Sequence, residues 1–346
     1  MEVIRPNEHY DDDYHQEPKD PYHLAYMIHF FLGAGYLIPW NAFITAVDYF
    51  QYLYPNKHIN KVFSVGYMSA AVTVLLTLMC WTRSNRIKLP SVRTRMNIGQ
   101  GLFISALMVA PVTDWIVNGN QTTMISNISF VVLVSMVMIS GLADGLVGGS
   151  LVGATGELPG RYMQAVFAGN ATAGTCTHHS PMHHLHQRFT QATVTPMLPE
   201  PKTQQSDHPP PRVNHVKLLA SSKEGPVAGD RTFNVGDFMG KCLTAIYVPK
   251  GSKGTVWCCM GRVVFYPFFV GCIHGPKWMH SEAPVIVLTL MLGVSNGYLT
   301  SVLMILAPKS VPIEEAEMVG IAMETFLVIG LVVGSALGWF WNFEKN

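Results

Sequence analysis

Charge is scarce in this sequence. Of its 346 residues only 13% are Asp, Glu, Lys or Arg, about half the share of an ordinary soluble domain, while 49% are hydrophobic. The net charge of +1 leaves no basic or acidic surplus, which argues against nucleic acid as a partner. There is no nucleophile elbow, no H-E-x-x-H and no P-loop, so hydrolytic chemistry has no foothold and the chain does not read as an enzyme. No cofactor motif is present. The six cysteines, Cys80, Cys176, Cys242, Cys258, Cys259 and Cys272, form neither a C-x-x-C pattern nor a disulfide framework, and read as small buried thiols. A cleavable leader is also missing. Residues 1–23 are polar and acidic, and read as a disordered cytosolic tail.

What fills the chain instead is long apolar runs. A membrane-spanning helix needs about 20 mostly apolar residues. Seven runs qualify, at 24–48, 62–82, 97–117, 128–156, 256–273, 283–307 and 317–341. Two shorter pieces, 161–175 and 233–248, are apolar but too short or too polar to count as spans. Hydrocarbon offers no partner to a backbone amide, so all of these runs should be helices. The cluster Arg83, Arg86, Lys88, Arg93 and Arg95 between the second and third runs should face the cytosol, which puts the N-terminus there too. The segment after the third run lacks Lys and Arg and carries the sequons at Asn120 and Asn127, which suits the outside. The tract 176–230 should be cytosolic, and the last three runs place the C-terminus outside.

Polar side chains within such runs are costly and mark functional positions. Asp144 lies among five glycines between 141 and 153. Close helix packing accounts for the glycines but not for the carboxylate, which reads as a cavity or ion-pair group. Asp237 and Lys241 are four apart on one helical face, where they either pair structurally or line a path. Asn234 lies one turn earlier on the same side. Arg262 either snorkels to the cytosolic surface or lines a cavity. Asn296 is mid-span and needs a partner. Glu324 has no obvious one, and reads as a poorly placed residue rather than a proton-titrating group. Several helices thus each bring a polar group to membrane depth, as a passage for a small polar solute requires.

In this order, LIPWNAFITAVDYFQYLYP (37–55), GLADGLVGGSLVGATGELPGRYMQAVFAG (141–169), FNVGDFMGKCLTAIY (233–247), RVVFYPFFVGCIHGPKW with SNGYLTSVLMILAPK (262–309) and EEAEMVGIAMETFLVIGLVVGSALGWFW (314–341) resemble the equilibrative nucleoside transporter family, most closely its plant branch. The resemblance covers about 24–174 and 233–341. It implies an all-α multi-pass membrane protein, a major-facilitator-like bundle of eleven helices with a central cavity and alternating access. It also implies nucleoside substrates of the adenosine or uridine type, with nucleobases as a further class. By the resemblance, Trp40 offers an aromatic face to the base, Asn41 polarises the same wall, and Pro39 loosens the helix as a gate would need. Asp237 and Lys241 are expected near the ribose hydroxyls. Gly148 stands where animal members have Gln, and Arg95 resembles the basic residue opening the third helix. Many plant members resemble proton symporters, which makes Asp144, with Arg262 and Asn296, a candidate for proton coupling or the cavity wall. The plasma membrane is the expected location, with vacuolar or other internal membranes as alternatives.

The resemblance breaks after Gly174. Between 178 and 215 lie seven of the fourteen histidines, and prolines occupy 209–211, with no helical period. A shifted reading frame or mis-joined exon would produce such a tract. The chain therefore divides into a tail (1–23), an N-terminal bundle of four spans and a truncated fifth helix (24–175), an aberrant His/Pro-rich cytosolic segment (176–232) and a C-terminal bundle (233–346). That leaves seven full spans and two partial helices, which could lie as re-entrant or interfacial pieces. Nucleoside transport, facilitated or proton-coupled and weakened by the absent helices, is the leading reading. The alternatives are a non-transporting product that only binds membrane partners, and a metal-ion carrier using His183, His184 and His186.

Overall fold

A computed structural model describes residues 20–54, 57–84, 90–119, 123–178, 231–249, 251–274 and 282–341. The tail to residue 19, Asn120 and the tract at 179–230, with His183, His184 and His186, lie outside the described residues. Among those residues there is no strand. The helices are α1 (Leu24–Leu53), α2 (Ile59–Ser84), α3 (Val92–Gly119), α4 (Thr123–Gly156) and α5 (Gly160–His178), then α6 (231–243). They continue with α7 (Ser252–Gly261), α8 (Phe265–His274), α9 (Glu282–Lys309) and α10 (Ile313–Trp341). This is an incomplete all-α multi-pass membrane protein.

Six helical stretches are long and apolar enough to cross a membrane: Pro21–Ile44, Lys61–Arg83, Ile128–Gly156, Lys253–Cys272, Glu282–Lys309 and Ile313–Leu337. The expected span at 97–117 forms as α3 but is not among them. Asn97, Gln100, Ser105 and Asp114 dilute its apolar run, and it lies along α4. The span at 256–273 forms as one helical stretch, Lys253–Cys272, with a change of helix type inside it. A 3-10 turn at Arg262–Val264 separates α7 from α8. Pro267 has no amide hydrogen to offer the carbonyl of Val263, which removes one α-type bond next to this turn. Pro39, by contrast, is carried inside an unbroken α1.

The start of α1 is held from outside. The two oxygens of Asp20 accept the amide hydrogens of Ala25 and Tyr26, each at 3.1 Å, which satisfies two of the orphan donors of the first turn. The intervening Tyr22 and His23 turn through the left-handed region, with φ of 68° and 54°. Partial burial works against the Asp20 charge, but these amides and the charges of Arg161 and His23 hold its carboxyl below the usual value.

Glycines set the helix contacts. A Cβ on Gly33 of α1 would lie 2.1 Å from the Val166 carbonyl oxygen of α5, and one on Gly169 would lie 2.0 Å from that of Phe30. On α4, Gly141 and Gly145 face the Tyr67 and Ala71 carbonyls of α2 at 2.2 and 2.5 Å in the same sense. Only hydrogen fits at such distances, and packing at this range holds helices together in lipid. The glycines around Asp144 are thus explained by packing, as their spacing implies. Residues 161–175 form a helix that is not among the six spans, as expected for a partial helix. Helix α5 is not a peripheral stump, because Met163, Val166, Phe167 and Ala168 are all buried and the helix packs along α1 and reaches α9.

Candidate functional site

Four residues singled out in the sequence meet in one network. Helices α6 and α9 cross through two facing glycine pairs. A Cβ on Gly240 would lie 2.2 Å from the Val294 carbonyl oxygen, and one on Gly297 would lie 2.0 Å from that of Asp237. This close crossing brings Asn296 to Asp237, and its Nδ2 donates to Asp237 Oδ1 at 2.8 Å. Lys241 Nζ pairs with Asp237 Oδ2 at 2.8 Å, as the four-residue spacing requires. Arg262, in the turn between α7 and α8, donates from its guanidinium to Asn296 Oδ1 at 2.9 Å. Arg262 therefore turns toward Asn296 and α9. Asn234 does not join this group. Its Oδ1 faces Gly174 of α5, 3.9 Å from where a Cβ would stand, because a step of three residues leaves it about 60° around the helix from Asp237.

A second group lies on α1, α2, α4 and α10. Asp144 and Glu324 are buried, at 6% and 4% exposure. Tyr36 donates from its hydroxyl to Glu324 Oε1 at 3.0 Å. The Tyr67 hydroxyl faces Asp144 without closing a hydrogen bond. The Trp40 ring lies against the Tyr67 ring, with centroids 4.5 Å apart, and Asn41 follows it, partly buried. Gly148 makes room for this arrangement, since a Cβ there would meet the Tyr36 hydroxyl at 2.5 Å. Lys241 is within electrostatic reach of Glu324, so the two groups adjoin. Glu324 is thus not a misplaced residue. Its partner is 288 positions away in the chain, and no local sequence signal could have named it.

We expect Asp237→Asn to lower uptake of labelled uridine about tenfold or more, since it strands the Lys241 charge in a largely buried site. Surface-labelling should find the variant in the membrane at the parental level. Loss of the variant from the membrane would instead make the pair a folding device.

At the α3 start, Arg95 is buried and forms an ion pair with Glu317 of α10. Glu157, just beyond the end of α4, competes for the same cation. Burial and the Glu317 charge push the Glu157 carboxyl above its ordinary value, against the pull of Arg95. A carboxyl raised in the fold favours folding at low pH, and that benefit is lost as pH climbs past its folded value. Glu157→Gln should raise the melting midpoint by about 1–2 °C at neutral pH. The gain should vanish below about pH 4, where the native glutamate is protonated in both states. A pH-independent gain would point to packing instead.

A pocket of about 640 Å³ opens where the N-terminal ends of α1 and α5 meet the C-terminal ends of α6 and α9. None of the candidate substrate residues lines it. Its polar lining includes Tyr26, Arg161, Gln164, Thr244 and Lys309, none of which the sequence reading singled out, because each sits near the end of an apolar run rather than at its centre.

Ion pairs and buried carboxyl groups on glycine-packed helices of membrane-spanning length mark a multi-pass membrane protein. The family model described as nucleoside transporter matches residues 216–343. Its match opens inside the tract 176–232. The chain is 41% identical over 384 aligned positions to the Arabidopsis thaliana protein called equilibrative nucleotide transporter 8, covering 94% of this chain and 97% of that one. It is 35% identical to equilibrative nucleotide transporter 1 of the same plant, over 94% of this chain and 87% of that one. It is 22% identical to equilibrative nucleoside transporter 3 of Rattus norvegicus, over 93% and 89%. The chain belongs to the equilibrative nucleoside transporter family. Since 94% of it is about 325 residues, about 60 of the 384 positions aligned with the first relative have no residue here.

Proposed function

We propose that this chain moves nucleosides of the adenosine or uridine type across the plasma membrane by alternating access, at a rate well below that of a full-length relative. The observation that carries this reading is the Asp237–Asn296–Arg262 network with Lys241, set where α6 and α9 cross in the membrane. An ionised carboxylate offers only acceptors, which suits the paired hydroxyls of a ribose. Trp40, tilted at 43° against the Tyr67 ring, supplies the aromatic face for a base. The family model and the rat relative carry nucleoside in their names, whereas the two Arabidopsis relatives carry nucleotide. The low rate follows from the positions that have no counterpart here, which leave the passage short of wall. The test is uptake of labelled adenosine and uridine by cells expressing the chain, beside the 41% identical relative. We expect uptake above background and about tenfold below the relative. Equal uptake sinks the argument from missing wall. Normal membrane insertion with no uptake turns the reading to a product that only binds membrane partners.

Proton coupling is a second reading favoured by a specific observation. Asp144 and Glu324 are two carboxyl groups in one dry compartment with Tyr36 and Tyr67, where a proton can be taken up and released. Under this reading uptake rises as the outside is acidified, and Asp144→Asn removes the rise while sparing uptake at neutral pH. Pure facilitated exchange predicts the same uptake at both pH values. The metal-carrier reading rests on His183, His184 and His186, which lie outside the described residues.

A further inference from the structure

The pocket at the ends of α1, α5, α6 and α9 collects positive charge that the transport site does not use. Arg161 and Lys309 both line it, with His23 at its edge. Helix α5 begins at Gly160, so the positive end of its dipole points the same way. Gly160 is what allows the crowding, because a Cβ there would lie 2.7 Å from Lys309 Nζ. An ammonium lying against a helix N-terminus, beside a guanidinium, is repelled from both sides. Among the described residues Lys309 has no ion pair. Arg161 stacks over the Tyr162 ring at 4.8 Å and donates to its hydroxyl at 2.9 Å. Asp20 is the carboxylate whose charge reaches Arg161 and His23, but its oxygens already accept the α1 amides of Ala25 and Tyr26. Neutral donors stand close by. Tyr26 gives its hydroxyl hydrogen to Gln164 Oε1 at 2.7 Å, which leaves the amide NH2 of Gln164 as a donor.

We propose that this pocket binds a phosphate-bearing group, held by Lys309, Arg161 and the N-terminal end of α5. Lys309 and Arg161 supply the charge, and the helix end supplies aligned amides, the combination that suits a compact anion. The volume of about 640 Å³ admits either a small soluble phosphate ester or the headgroup of an anionic lipid. The site stands apart from the nucleoside pathway, and its occupancy does not require that the chain transports anything.

The test is the melting midpoint of the full chain in two settings. In detergent, inorganic phosphate and uridine monophosphate are compared with uridine and with sodium chloride of equal ionic strength. In nanodiscs, phosphatidylcholine alone is compared with phosphatidylcholine containing phosphatidic acid. A soluble source gives a rise with phosphate and uridine monophosphate but not with uridine. A lipid source gives the rise with phosphatidic acid and little with free phosphate. In either case Lys309→Gln, at an exposed position, should weaken the response about tenfold. The wild-type response should also decline as sodium chloride is raised. No rise in either setting overturns the proposal. So does a rise that survives Lys309→Gln, or one indifferent to salt, and the salt series alone decides should the variant not be recovered.

Discussion

Gly297→Leu will separate α6 from α9 and abolish the measured uptake, while Gly330→Leu will leave both intact. The contrast rests on what a side chain meets. At Gly297 a Cβ would fall 2.0 Å from the Asp237 carbonyl oxygen and 3.0 Å from the Lys241 nitrogen. Both are backbone atoms, which cannot rotate away. At Gly330 nothing lies within 4 Å. The opposing pair behaves likewise, with Gly293 against the Phe233 carbonyl at 2.5 Å and Gly236 against that of Leu290 at 2.8 Å. In lipid there is no hydrophobic drive to hold two helices at a wider spacing, so close packing is most of what joins them. A leucine forces the axes apart, and the 2.8 Å bond from Asn296 to Asp237 opens with them. Arg262 then loses the Asn296 carbonyl fixed in place by that bond. Overpacking of this kind costs about 1–3 kcal/mol or more, so the melting midpoint should fall by several degrees along with uptake. Wild-type behaviour of Gly297→Leu would mean that the crossing is incidental to the site.

The sequence carries the helices plainly because each apolar run must satisfy its own backbone. It carries Asp237 with Lys241 because four residues is one helical turn. It misleads where packing between distant segments decides. Residues 161–175 are short for a span, yet Gly33 and Gly169 let α5 approach α1 so closely that it becomes a buried element. Glu324 has no neighbour of its own to explain it, and only the fold supplies Tyr36. Asn234 looks aligned with Asp237 on a coarse helical count, but the angular error of one residue sends it to α5. Arg262 is legible as a polar residue in a span, but its partner Asn296 lies 34 positions away on another helix, which a hydropathy profile does not show. The pocket with Arg161 and Lys309 is assembled from helix ends that lie far apart in the chain.

Restoring the absent positions from the 41% identical relative should raise nucleoside uptake at least about tenfold. About 60 positions suffice for two spans of about 20 residues with their connections. The faces awaiting such cover are visible. Helix α6 presents Val235, Met239 and Leu243 outward, although it carries Asp237 and Lys241 on its other side. Among the described residues, helices α7 and α8 pack against α9, and they expose Trp257, Met260 and Tyr266, with Val263 exposed in the turn between them. Lipid tolerates such side chains, so the present chain can sit in a membrane. A passage for a hydrated solute is different, because its polar lining must be closed off from hydrocarbon on every side. A carrier with an open flank loses the solute's polar contacts at the moment its two halves rock past each other. Restoration should therefore change the rate far more than membrane abundance. It should also make Asp237→Asn more damaging, because a closed cavity screens charge less than an open one. If the restored chain and the present one carry adenosine equally, the flank is already sealed. A second copy or another membrane protein would then supply the wall, and crosslinking through a cysteine placed at Met239 would find it.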